Sequence, residues 1–153
     1  MTSNDRIRNS IDGSEIANVV QAGSIGSVHI GGPATDVRSM CRSAYAALSG
    51  IVTAMDNTVW TSADSVRENY DRAHDFYESA NNLLVDFEMF APSFITKAFE
   101  LSRYSAFAAV KEMYEATKMR DGRVSSDFRT EIHIELLRHS VRIFVAAVSE
   151  SDI

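Results

Sequence analysis

Cysteine, proline and positive charge are scarce in this chain, and each shortage narrows what it can be. A single cysteine, Cys41, leaves no internal disulfide to form. Its place in the apolar stripe Val37, Met40, Ala44, Tyr45 reads as a buried thiol in a reducing compartment, not as a nucleophile. Lysine and arginine number 15 against 21 acids, a net charge of −6; after Gly32 the balance is 13 against 18. Nucleic-acid binding needs clustered Lys and Arg to displace counterions, so none is expected. No stretch reaches the roughly 18 apolar residues of a spanning helix. The N-terminus carries Arg6 and Arg8 with no apolar core behind them, so it does not read as a secretory signal, and a cytoplasmic location is expected.

Signatures of chemistry are missing too. There is no Gly-x-Ser-x-Gly elbow, no phosphate-binding Gly-rich loop and no Cys-His arrangement. Asp71-x-x-His74 is a lone acid-x-x-His spacing, whereas a di-metal bundle needs two such pairs plus two further glutamates. Glu131, His133 and Glu135 alternate along a helical stretch and do not share a face. Asp121-Gly122 lacks the additional acids of a calcium loop. We therefore expect no enzymatic activity, no metal and no cofactor.

What is present divides in two. Five of the seven glycines fall in the first 32 residues, and Gly31-Gly32-Pro33 marks a hinge. Beyond it the apolar residues recur at helical spacing of three and four. A first helix carries Val37, Met40, Cys41, Ala44, Tyr45, Leu48, Ile51, Val52, Met55 and Val59, weakened at Asp56-Asn57. Thr61-Ser62 offers a fresh start, and Ser65 with Glu68 has capping-box spacing inside the second helix. That helix carries Val66, Tyr70, Ala73, Phe76, Tyr77, Ala80, Leu83, Leu84, Phe87 and Phe90, and Pro92 ends it. A third runs from Phe94 through Phe99 and Met113 to Thr117. After a turn at Asp121-Gly122 and a cap at Ser125 or Ser126, a fourth bears Phe128, Ile132, Leu136, Leu137, Val141, Phe144, Val145 and Val148.

Four helices of about 25 residues, roughly 38 Å each, with short connections predict an all-α, antiparallel four-helix bundle. A three-helix arrangement with one broken helix is the alternative. The expected organisation is a tail over 1–8, a separate motif over 9–30, a hinge over 31–34 and the bundle over 35–153. Two surfaces of the bundle stand out. Residues 62–91 hold seven acids against Arg67 and Arg72. Of these, Asp64, Glu68, Asp71, Asp75 and Glu78 form either a solvated face or a docking face for a basic partner. Ser43–Met55 is uncharged and reads as a core helix, with insertion into lipid after assembly as the alternative.

The segment before the hinge is β-like: Val19, Val20, Ile25, Val28 and Ile30 are β-branched, and Gly13, Gly23 and Gly26 permit tight arches. Nothing between Glu15 and Asp36 is ionised at neutral pH, taking histidine as neutral. Two such strands make only a marginal hairpin alone. Stacked in register, however, their Val and Ile side chains form dry ladders and Asn18 and Gln21 form amide ladders. A short β-arch or hairpin, or a disordered arm, is therefore expected ahead of the bundle.

Val20-Gln21-Ala22-Gly23 resembles the Val/Ile-Gln-x-Gly core of the RIP homotypic interaction motif. The wider frame, Asn9-x-Ile11-x-Gly13 followed by Asn18-Val19-Val20-Gln21-Ala22-Gly23-x-Ile25-x-x-Val28-His29-Ile30, is similar to the RHIM-like amyloid signalling sequences of actinobacteria. It covers about 22 residues. The resemblance implies homotypic, prion-like assembly through Asn18, Val19, Val20, Gln21, Ala22, Gly23, Ile25, Gly26 and Val28. It also implies templating by a nucleotide-binding receptor with a matching motif, in bacterial immunity or regulated cell death. Such effectors carry a helical, membrane-active domain of the HeLo or Bell type, or an enzymatic one. A plain helical binding module with a structural or flexible N-terminal arm is the other reading.

Overall fold

The computed structural model describes residues 36–118 and 128–151, the side chains of Phe128 and Arg129 excepted. The motif over 9–30, the hinge, the Asp121-Gly122 turn and the Ser125/Ser126 cap lie outside these residues. Among the described residues all regular structure is helical: α1 (Val37–Asp56), α2 (Ala63–Asn81), α3 (Leu84–Phe90), α4 (Ser93–Thr117) and α5 (Phe128–Ser149).

The four long helices form a bundle in which each packs on its neighbours in chain order, α5 closes back on α1, and α1 touches α4 across the diagonal. Contacts run in opposite order along each adjacent pair. Tyr70, Tyr77 and Asn81 of α2 meet Tyr114, Phe107 and Arg103 of α4 in turn. Phe99 of α4 meets Phe144 of α5, while Glu112 meets His133. Asp56 at the end of α1 pairs with Arg138 in α5, whereas Cys41 near its start shares a groove with Phe144 and Val148. Neighbours are therefore antiparallel, as short connections require.

Local chemistry places the ends. The Ser62 side chain accepts from Ser65 N–H at 3.3 Å and caps α2, while Ser65 Oγ accepts from Val59 N–H at 2.9 Å. Ser65 thus sits in the first turn of α2 and secures the connection from α1. That helix stops at Asp56, leaving Val59 exposed and outside the stripe expected for it. Before Pro92, Ala91 adopts φ −87° and ψ 151°, the extended geometry that a following proline imposes. Thr96 Oγ1 then donates to Phe87 C=O at 2.9 Å, tying the start of α4 to α3.

One expected helix is broken. The sequence predicts one run from Val66 to Phe90, but the ladder lapses at Asn82 and Leu83, where Leu83 N–H donates to Ala80 C=O, three residues back, at 3.1 Å. Tightening to an i−3 bond turns the chain relative to an α-helix, and it brings Phe87 into the core. Its ring stacks on Phe99 at 4.2 Å and meets Phe144 edge-on at 5.9 Å. All three phenylalanines are buried, and they close one end of the bundle.

Elsewhere the core is built of small side chains. Ala44, Ala47, Ala54, Ala73, Ala80, Ala98, Ala106 and Ala109 are buried beside Leu48, Ile51, Met55, Ile95, Met113 and Leu137. Alanine lets helices approach closely, and a second close contact involves glycine. A methyl group on Gly50 would meet the Phe76 ring at 2.7 Å, so α1 offers bare backbone as the seat for that ring. Several residues expected inside are exposed: Tyr45, Phe76, Phe90, Phe94, Ile132, Leu136 and Val145. α3, α4 and α5 are apolar around more of their circumference than their neighbours cover.

Candidate functional site

The five acids singled out in the sequence all lie on α2 and are all exposed. They do not form an uncompensated surface. Asp64 approaches Arg67 at 3.9 Å, Glu68 pairs with Arg72 at 2.5 Å, and Glu78 lies 4.0 Å from His74, an ion pair only when that imidazole is protonated. Asp71 and Asp75 have no ion-pair partner among the described residues. Exposed pairs of this kind contribute at most about 1 kcal/mol each. Asp64 also opposes the positive end of the α2 dipole.

Beside this face lies a feature that sequence reasoning missed. Tyr70 and Tyr77 of α2 and Phe107 and Tyr114 of α4 line a groove of about 260 Å³, with His74, Glu78 and Lys111 at its edges. Tyr70 and Tyr114 are 5.6 Å apart between ring centroids, Tyr77 and Phe107 5.9 Å, and Tyr70 and His74 5.8 Å. The signal was available: two aromatic pairs, each spaced by seven residues, stand on adjacent antiparallel helices.

One ring of the groove, that of Tyr114, already has a cation over it. Lys118 Nζ lies 4.1 Å from the centre of the Tyr114 ring and donates to Glu115 at 3.2 Å. The hydrogen bond to Glu115 raises the pKa of this ammonium above its usual value. Burial, then the neighbouring Tyr114 and Asp71, raises that of the Tyr70 phenol. Ring faces with carboxylates nearby attract ammonium and guanidinium groups.

A second groove, of about 280 Å³, runs between the start of α1 and the end of α5, lined by Cys41, Tyr45, Phe144, Val145 and Val148. Cys41 is buried at its floor. On the same seam Arg138 bridges Asp56 and Glu135. Its guanidinium pKa rises above the usual value, chiefly through the hydrogen bond to Asp56 and then that to Glu135.

The acid–histidine spacings do not converge. Asp71 is not drawn to His74, which faces Glu78; Glu135 is taken by Arg138; and His133 reaches across to Glu112 at 3.7 Å. Among the described residues no group of three or more His, Cys, Asp or Glu is placed to hold a metal ion. None of their helices is long and apolar enough to cross a membrane. The expected assembly residues, Asn18 to Val28, lie outside the described residues. No protein-family model, curated protein or solved structure matches the chain.

Proposed function

We propose that this chain is a non-enzymatic signalling adaptor or effector that self-assembles through residues 9–30 and presents its helical bundle as the interaction module. The observation that carries this reading is the Asn18-Val19-Val20-Gln21-Ala22-Gly23-x-Ile25-Gly26-x-Val28 pattern, set in a stretch without ionised groups from Glu15 to Asp36. Such a sequence gains from stacking in register what it cannot gain alone. Its partners are further copies of itself and a nucleotide-binding receptor bearing the same motif, in bacterial immunity or regulated cell death. Contact with a membrane belongs after assembly, because the acids of α2 are repelled by anionic lipid.

The bundle supports this division of labour. Its grooves lie at the surface between helices, and alanines and phenylalanines fill its interior. The test is a peptide of residues 9–30: it forms thioflavin-positive fibres, and Val20→Asp abolishes them. A peptide that stays monomeric at high concentration refutes the assembly role.

A second reading has its own observation. The aromatic groove beside Asp71 and Glu78 fits a basic segment, with an arginine or lysine laid on the tyrosine rings. In that case the chain is a binding module whose N-terminal arm is an extension, and deleting residues 1–32 leaves capture of an arginine-rich peptide unchanged.

A further inference from the structure

In an acidic chain, one seam of the bundle is lined by arginines. On α1, Arg38, Cys41, Arg42 and Tyr45 recur at helical spacing and share one face; on α5, Arg142, Val145 and Ser149 do the same. Antiparallel packing brings the two stripes together around the groove of about 280 Å³. Arg38 and Arg42 stand on its rim, and no carboxylate lines it. The next groove along the seam, where Arg142 and Arg138 stand beside Tyr45 and Ser49, is lined by none either. Asp36 and Glu150, the acids nearest in sequence to its two ends, lie beyond α1 and α5. Arg138 is taken by Asp56 and Glu135, whereas Arg42 and Arg142 make no ion pair among the described residues.

The walls between these cations are apolar. Phe144 and Cys41 are buried, Val148 is half-buried, and Tyr45 and Val145 are exposed by 49% and 40%. From Arg38 to Tyr45 the groove runs about 10 Å along α1. Tyr45 and Val145 are the large apolar side chains that its lining leaves open, far short of the roughly 800 Å² that a protein partner covers. A volume near the lower end of small-molecule pockets, apolar walls and a few convergent polar groups suit a single aliphatic tail with a charged head.

We infer that the α1–α5 groove binds a small anionic amphiphile, a medium-chain aliphatic carboxylate. Charge selects the head. A chain of net charge −6 repels anions over most of its surface, so they settle where guanidinium groups stand without carboxylates between them. Arg42 and Arg38 offer planar forks that match a carboxylate, and the positive end of the α1 dipole lies beside them. The tail then lies against Phe144, Val145 and Val148 and leaves water. The site needs neither residues 9–30 nor a second copy.

The test titrates the full chain carrying Val20→Asp, so that fibre formation does not enter the readout. Decanoate, below its micelle concentration, is followed by calorimetry and by amide NMR shifts. The expected result is one site per chain, with shifts on α1 and α5. Decanol, the same tail without charge, binds about tenfold more weakly, the worth of a charge-assisted hydrogen bond. Acetate, the head without the tail, shows no saturable binding. Replacing both rim arginines, Arg38→Gln with Arg42→Gln, brings decanoate down to the level of decanol and leaves decanol unchanged, which a collapsed groove would not do. Val145→Trp fills the groove and removes both, Arg67→Gln on α2 alters neither, and circular dichroism reports that each variant keeps its helices. Equal affinity for decanoate and decanol overturns the inference, as does decanoate binding that survives Val145→Trp or ignores the loss of both arginines. The absence of saturable binding overturns it as well.

Discussion

Removing the Phe87 side chain tests the least anticipated part of the fold. The ring is fully buried, stacked on Phe99 at 4.2 Å and against Phe144 at 5.9 Å, and it belongs to a helix of only 7 residues. So short a helix has no stability of its own, and α3 is held largely by what Phe87 buries. Phe87→Ala forfeits the transfer free energy of the ring and leaves a cavity between two aromatic faces, a loss of about 3–5 kcal/mol. That is a large fraction of the roughly 5–15 kcal/mol by which a domain of this size is stable. It corresponds to a fall in Tm of roughly 10–20 °C. Phe87→Leu keeps most of the volume and costs about 1.5 kcal/mol. The assay is urea unfolding of the full chain carrying Val20→Asp, followed by circular dichroism and by fluorescence of Trp60, which packs at the far end beside Val66 and Ala116. Coincident transitions show that the loss is felt by the whole bundle. A loss below about 1 kcal/mol for Phe87→Ala, well under the range for a buried aromatic, would sink the argument that this ring locks α3 to α4 and α5.

Gly50→Ala sets helix propensity against the Phe76 ring that would lie 2.7 Å from the new methyl group. We predict that it stabilises by about 0.5–1 kcal/mol in a Phe76→Ala background but not in the wild type. A double-mutant cycle checks this, and additivity of the two changes refutes it. The raised pKa of Tyr70 predicts that its phenol ionises later than a free tyrosine in an absorbance titration, and that Tyr70→Phe removes that late step. The protonated phenol is the favoured form in the fold. This contribution is therefore fully present below the ordinary value of 10.0 and is lost as pH rises through the higher folded value. A titration whose high-pH end is unchanged by Tyr70→Phe contradicts the account.

Helix boundaries were legible where backbone chemistry forces them. Pro92 compels an extended Ala91, and Ser62 supplies an oxygen to the free N–H groups of α2. The break at Asn82–Leu83 was not, because Ala80, Leu83, Leu84, Phe87 and Phe90 continue the same spacing through it. Only the tertiary gain from burying Phe87 decides for the break. Sequence also placed Phe76, Leu136 and Val145 inside, since periodicity shows that a residue lies on an apolar arc but not whether a neighbour covers that part of the arc. The aromatic groove escaped for a related reason. Tyr70 and Tyr77 matched a core stripe, and their partners Tyr114 and Phe107 lie 44 and 30 residues on, on a helix whose register against α2 is set by the fold. The acids are all exposed on α2, and Arg67, Arg72 and His74 temper them at spacings of three and four.

The stack of Phe87, Phe99 and Phe144 sits at the end of the bundle where α1 begins, since Phe144 and Cys41 share one groove. Any pull on the polypeptide preceding Val37 enters the bundle at that end. The first element to bear load is α1, which carries none of the three rings and is held at that end by its own buried Met40, Cys41 and Ala44. Tension on that helix reaches the ring stack through the seam of α1 and α5, where Cys41, Phe144 and Val148 line one groove.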